Sequence, residues 1–373
     1  MLSSALKSLF PHNLRFYPVP SFRTIATATK MSFPAKIQAI GINKTGDFDV
    51  VEKLEIPFPK HVPGNVLVKI QYGGVNFIDT YYRKGLYPIA SFPQPLGTEG
   101  AGTIVGIPSD EAVLNNDEFK KRGYAIGGKA AVYGLGAFAE YVSVPWSRVF
   151  TFPEDVSDHH VANPITTAGL TSLTFVTEAY NVQKGDIVLI HTVAGGLGLL
   201  FTQLAKSRGA TVIGTTSTKE KAELAKANGA DHVILYRDED TVQRVLEITN
   251  GEGVHAVFDG VGKDTFDNNF KLIRRKGTIV SVGNASGAVP PFPPLKLVEK
   301  NVRLLRPTVG NYIYTPEEGR RYSTELFSLI SKGTLKILIH KEYPFTAEGV
   351  QQAQKDLTGG KTTGKLLIKI SDE

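Results

Sequence analysis

Between Asp186 and Gly283 the chain alternates strand-like and helix-like runs. In order they read DIVLIH, LGLLFTQLAKSRG, ATVIGTT, KEKAELAKANG, DHVILY, DEDTVQRVLEITNG, VHAVFDGV, DTFDNNFKLIRR and GTIVSVG. The strand runs are apolar throughout rather than at every second residue, which suits strands buried on both faces of a parallel sheet. Parallel neighbours require crossovers, and right-handed crossovers lay helices on both faces of the sheet. This stretch therefore predicts a doubly wound α/β fold.

The flanks follow another rule. KIQAIGI, FDVVEKLEI, NVLVKIQYGGV, GAGTIVGI, GKAAVYG and AFAEYVSVP are short strand candidates separated by Gly, Pro and Asn, which favours antiparallel pairing. The polar stretch SDEAVLNNDEFKKRGYAIGG reads as a surface loop, and DHHVANPITTAGLTSLTFVTEAYNV reads as a helix. The tail predicts helix EEGRRYSTELFSLISKG, strand LKILIHKEY, helix AEGVQQAQKDL and strand GKLLIKI. The expected organisation is a head over 1–30, a β-rich domain over 31–160, a nucleotide-binding domain over 161–312, and a return to the first domain over 313–373.

Composition narrows the chemistry. Cys is absent from all 373 residues, so disulfides, thiolate catalysis and Cys-ligated zinc are excluded. The formal charge of +6 resides in residues 1–46: six of the 42 bases lie there with no acid, leaving 36 bases against 36 acids. Residues 1–30 are rich in Ser, Thr and apolar residues with spaced bases, the composition of a mitochondrial transit peptide. A start at Met31 would give a cytoplasmic form. No apolar run is long enough to span a bilayer.

Strand DIVLIH runs into TVAGGLGLL and then a helix. Thr192, Gly195 and Gly198 occupy the small-residue positions of a phosphate-binding turn, with Gly196 added, so that backbone can approach a pyrophosphate at a helix N-terminus. The tip of the following strand selects the nucleotide. An NAD site carries a carboxylate there, on the ribose 2′-hydroxyl. Here the run is Gly214-Thr215-Thr216-Ser217-Thr218-Lys219-Glu220-Lys221. Hydroxyls and lysines in place of the acid favour a 2′-phosphate, hence NADP(H), with Ser217 and Lys221 as candidates.

The run Asn76 to Pro88, NFIDTYYRKGLYP, followed by Pro95-Leu96-Gly97-Thr98-Glu99-Gly100-Ala101-Gly102, resembles the zeta-crystallin-type NADPH:quinone oxidoreductases. These form a zinc-free branch of the medium-chain dehydrogenase/reductase superfamily. The likeness continues through Ala194 to Gly198, Tyr236 to Asp240, Val280 to Gly287 and Leu305-Arg306-Pro307. It implies an α/β protein with a GroES-like β-rich catalytic domain, a doubly wound Rossmann domain and catalysis in the cleft between them. It further implies Asn76, Tyr81 and Thr171 on the nicotinamide and substrate side, Asn76 and Tyr81 being the catalytic candidates. Gly195, Gly196, Leu197 and Gly198 would hold the pyrophosphate, and Ser217, Lys221 and Tyr236 the ribose and its 2′-phosphate. Gly260, Gly283, Asn284 and Lys365 would close over the cofactor. A homodimer is implied as well.

With no metal to polarise an unactivated carbonyl, the substrate must itself be electrophilic: a quinone or an activated enone. Asn76 can hydrogen-bond a carbonyl or the nicotinamide carboxamide. Tyr81 can donate to a developing oxyanion. The eight His residues, including His159, His160 and His191, are assigned no catalytic role. An alternative activity is reduction of trans-2-enoyl thioesters, for which Tyr87 is a candidate proton donor. RNA binding is implied by the zeta-crystallin resemblance as a further alternative, although the neutral body gives it no electrostatic help.

Overall fold

The computed structural model describes residues 33–60, 62–153, 156 and 166–372. The head over 1–30 and the His159-His160 pair lie outside the described residues. Ala35–Glu373 form one compact unit, built among the described residues on three sheets.

The predicted alternation folds as a six-stranded, all-parallel sheet. Its order is His232–Leu235, Thr211–Thr216, Ile187–Ile190, Val254–Asp259, Ile273–Ser281 and Arg303–Leu305. Alternate side chains explain why the strands read as continuously apolar. Val188, Ile190, Val212, Ala256 and Phe258 belong to one core with Leu200, Phe201 and Leu204. Leu189, Ile213, Val257 and Ile279 belong to another with Val245 and Leu272. The Phe201 and Phe258 rings stack at 4.8 Å within the first core. The strand order reverses beside Ile187–Ile190, and the carboxyl ends of the strands at such a switch point form a crevice for ligands.

The flanking segments form a seven-stranded sheet. Asn65–Val75 is its hub, pairing antiparallel with Glu99–Gly106, Tyr141–Pro145 and, late in the chain, Lys365–Lys369. The last pairing brings the C-terminal segment back beside residues 72–75. A smaller sheet joins Val51–Pro57, Lys36–Ile42 and Gln94–Pro95.

Four expectations are corrected. The stretch 109–128 carries two short helices, Glu111–Leu114 and Asp117–Lys121. Asp110 and Asn116 cap them, and the polar composition that suggested a loop includes these caps. The segment is docked: Phe119 is buried against Tyr124 and Trp146. The helix expected over 264–275 spans only Phe266–Leu272, because Ile273 already enters the sheet beside Val254. The long helix before Asp186 is described from Thr166 and shifts to a π-helical turn over Phe175–Ala179. The strand expected from Leu335 begins at Ile339, where pairing with Lys365 starts.

Candidate active site

The glycine turn sits at the carboxyl end of Ile187–Ile190 and opens helix Gly196–Ser207. Its glycines are required by backbone proximity. A Cβ on Gly198 would lie 2.4 Å from the Thr192 carbonyl oxygen, and one on Gly196 would lie 2.7 Å from that of Gly364. Thr192 holds a left-handed φ of 55°, costly for a β-branched residue. The opposite wall is a pair of interlocked turns. Val282 and Gly283 N–H groups donate to the Asp259 carbonyl, and the Asp259 carboxylate accepts from Val261 and Gly262. A Cβ on Gly283 would meet the Gly260 oxygen at 2.9 Å.

These turns border a cleft of about 590 Å³. The same cleft gathers Asn76, Tyr81, Thr171, Gly195, Gly196, Leu197, Gly198, Ser217, Lys221, Tyr236, Gly260, Gly283 and Lys365. Tyr87 and Arg306, to which the quinone-reductase reading gave no role, also line it. Asn284 does not line the cleft directly; its N–H donates to the Tyr81 hydroxyl at 3.0 Å. That bond occupies the phenol as an acceptor and leaves its proton to be donated. Burial pushes the phenol above its ordinary value, partly offset by the Asn284 N–H and Arg306, so Tyr81 is a hydrogen-bond donor at neutral pH.

Asn76 is more constrained than its sequence context implies. Its Nδ2 donates to Glu99 at 2.7 Å and to the Gly74 carbonyl at 3.2 Å, and its Oδ1 accepts from Lys365 at 2.8 Å. Both amide protons are engaged, leaving only acceptor capacity on Oδ1. Donation from Asn76 to a substrate carbonyl is therefore corrected: this geometry leaves only acceptance. Lys365 lines the cleft as expected, and its ammonium is engaged there by Glu99, Asn76 and, at 3.4 Å, the Val75 carbonyl.

At the other end, Lys221 is the third residue after the helix cap Thr218, whose hydroxyl accepts from its N–H, and its ammonium donates to the Gly360 carbonyl at 2.6 Å. Burial and the neighbouring Arg237 charge both lower its pKa, so an anion placed here would be welcome. Tyr236 stands half-exposed nearby on the cleft wall. His191 is buried between Thr215 and Asn269, each at 3.0 Å, and serves the sheet rather than the cleft.

Comparison with known proteins agrees with the fold. Residues 62–154 match the alcohol dehydrogenase GroES-like domain, and 196–328 match the zinc-binding dehydrogenase family. The chain is 36% identical to a quinone oxidoreductase of Pseudomonas aeruginosa over 82% of its own length and 91% of the relative's. It is 35% identical to a probable quinone oxidoreductase of Schizosaccharomyces pombe, covering 90% and 97% of the two chains. It belongs to the quinone oxidoreductase family. The structure of the Escherichia coli quinone oxidoreductase complexed with NADPH superposes with a TM-score of 0.80 at 34% identity, covering 89% of this chain and 99% of that one. The family lies within the medium-chain dehydrogenase/reductases, and the two matched models correspond to the two kinds of sheet described above.

The zinc in the second model's description does not fit the donors present in this quinone oxidoreductase family member. The chain has no Cys, and Glu99, the acid in the Gly97-Thr98-Glu99 run, is already neutralised by the Lys365 ammonium. Among the described residues no group of three His, Asp or Glu side chains could hold a metal. Glu99 and its partner were not assigned as a pair from sequence. They stand 266 positions apart, and the only local signal was an acid inside an otherwise small and apolar strand.

Proposed function

We propose that this protein is an NADPH-dependent reductase of quinones that works without a metal. The observation that carries the reading is the strand Thr211–Thr216, which enters the cleft and is followed by Ser217 and Lys221 where an NAD site would need a carboxylate. The glycine turn presents backbone N–H groups at a helix N-terminus for a pyrophosphate. When bound, the nicotinamide supplies the hydride. The protein's share is to hold the nucleotide on the Gly195–Gly198 turn, to face Asn76 and Thr171 toward its nicotinamide end, and to aim the Tyr81 proton at a substrate oxygen that gains charge. Tyr81 stabilises that oxygen by hydrogen bonding, and a hydroquinone oxygen is basic enough to take its proton from water.

Two finer points belong to the same proposal. A homodimer would cover the open side of the edge strand Arg303–Leu305, in a segment where Leu295, Val298 and Leu305 are exposed. The head over 1–30 would direct the long form to mitochondria, and a start at Met31 would leave a cytoplasmic form.

Initial-rate kinetics with NADPH and NADH against a quinone, an activated enone and an enoyl thioester test the reading. The expected result is at least a tenfold higher kcat/KM for NADPH with the quinone as the better acceptor. Turnover of the thioester alone would transfer the assignment to Tyr87, which also lines the cleft.

A further inference from the structure

Beneath the nicotinamide end of the cleft lies a closed polar cluster made by four distant segments. Glu99 comes from the strand Glu99–Gly106 and has no exposed side-chain surface, and Lys365, at 7%, starts the last strand. One Glu99 oxygen accepts from Lys365 and from Asn76. The other accepts from the Thr167 N–H at 2.7 Å, at the first turn of helix Thr166–Thr174, where the Thr166 hydroxyl lies 3.3 Å away and donates to the Val132 carbonyl at 2.9 Å. Thr171, one turn further along that helix, faces the cleft. Room for the carboxylate is made by Gly74, where a Cβ would meet a Glu99 oxygen at 2.5 Å.

A buried ion pair is poor evidence of stabilisation, because a packed apolar pair often serves as well or better. This one is saturated with partners, and those partners are cleft residues. We propose that Lys365 and Glu99 are positioning residues for the reduction: together they lock Asn76 as an acceptor and clamp the first turn of helix Thr166–Thr174 against the β-rich sheet. Glu99 lies behind the cleft lining, and the Lys365 ammonium, at the lining, is spent on Glu99 and Asn76. They act by fixing which atoms the cleft offers at its nicotinamide end. An acceptor-only Asn76 suits an amide donor, such as a carboxamide N–H, and leaves Tyr81 as the donor for the substrate oxygen. The proposal rests on the NADPH reading above.

The single changes Lys365→Met and Glu99→Gln each leave a buried group without its partner and would destabilise the fold. The informative protein is the double variant Glu99→Gln, Lys365→Met, which buries no net charge. Four quantities are measured on it and on the wild type: melting temperature, NADPH Kd by calorimetry, emission of bound NADPH, and kcat. The expected double variant melts within a few degrees of wild type and binds NADPH within about threefold. Its nicotinamide emission shifts toward that of the free nucleotide, and its kcat falls at least tenfold. Emission and kcat both within twofold of wild type would reduce the pair to structure and overturn the proposal. So would a fall in kcat that Glu99→Gln, Lys365→Met shares with an equal loss of NADPH affinity. A wild type that binds no NADPH would overturn the functional reading and the proposal with it.

Discussion

At the residue scale, the unusual group is Asp79. It is fully buried on the helix Phe77–Lys84, with one oxygen accepting from the Asn76 N–H at 2.7 Å. Burial pushes its carboxyl up to about 7, against the pull of that N–H and of Lys365. In the unfolded chain it titrates near ~3.9. The folded protein therefore keeps this proton where the unfolded chain has lost it. The resulting stability is fully present below pH 4 and is lost as pH rises to about 7, at up to ~1.4 kcal/mol per pH unit. Asp79→Asn keeps an oxygen for the Asn76 N–H and removes the titration. Urea unfolding at pH 5 and pH 8 should show the variant gaining about 2 kcal/mol on the wild type between the two. An unchanged difference would mean that Asp79 is ionised throughout. The glycine turn could be located in the sequence because Gly195 and Gly198 answer a local contact with the Thr192 carbonyl, whereas the contact of Gly196 with Gly364 could not be read there. Asp79 could not be singled out there, because nothing in NFIDTYY distinguishes a buried acid from one that faces water.

At the scale of elements, legibility followed periodicity. The five strands from Ile187 to Ser281 were readable because burial on both faces leaves an unbroken apolar run. The short helices Glu111–Leu114 and Asp117–Lys121 were not, since their order comes from distant contacts. Arg122, just after them, is buried and donates to the carbonyls of Val149 at 3.0 Å and Pro316 at 2.9 Å. Arg320 of helix Pro316–Ser331 reaches back to Glu118 at 2.6 Å. Tethering of this segment thus depends on Arg122 more than on the Glu118 ion pair, whose Arg320 partner is partly exposed. Arg122→Met would remove a charged donor from the carbonyls of Val149 and Pro316 and cost about 2 kcal/mol in chemical unfolding, with NADPH affinity unchanged. A loss below about 0.5 kcal/mol would show that the segment is held by Phe119 and its aromatic neighbours instead.

At the scale of the whole molecule, the cleft belongs to neither sheet alone. Gly195 bridges to Gly364, and Lys221 bonds Gly360, so the C-terminal return braces the nucleotide turn on both sides. A ligand held by both sheets should stabilise them as one unit. At a hundredfold excess over its Kd, NADPH would add about 2.7 kcal/mol, worth roughly 5 °C in a chain of this size. NADH lacks the phosphate that Lys221 would meet, and at the same concentration a tenfold weaker ligand would add only about 1.4 kcal/mol. Hydrogen exchange locates the effect. With NADPH, protection should rise together over residues 195–204 and over residues 74–84, which lie on opposite walls. Protection confined to the first stretch would mean that nucleotide binds the parallel sheet alone, with Asn76 and Tyr81 taking no part in holding it.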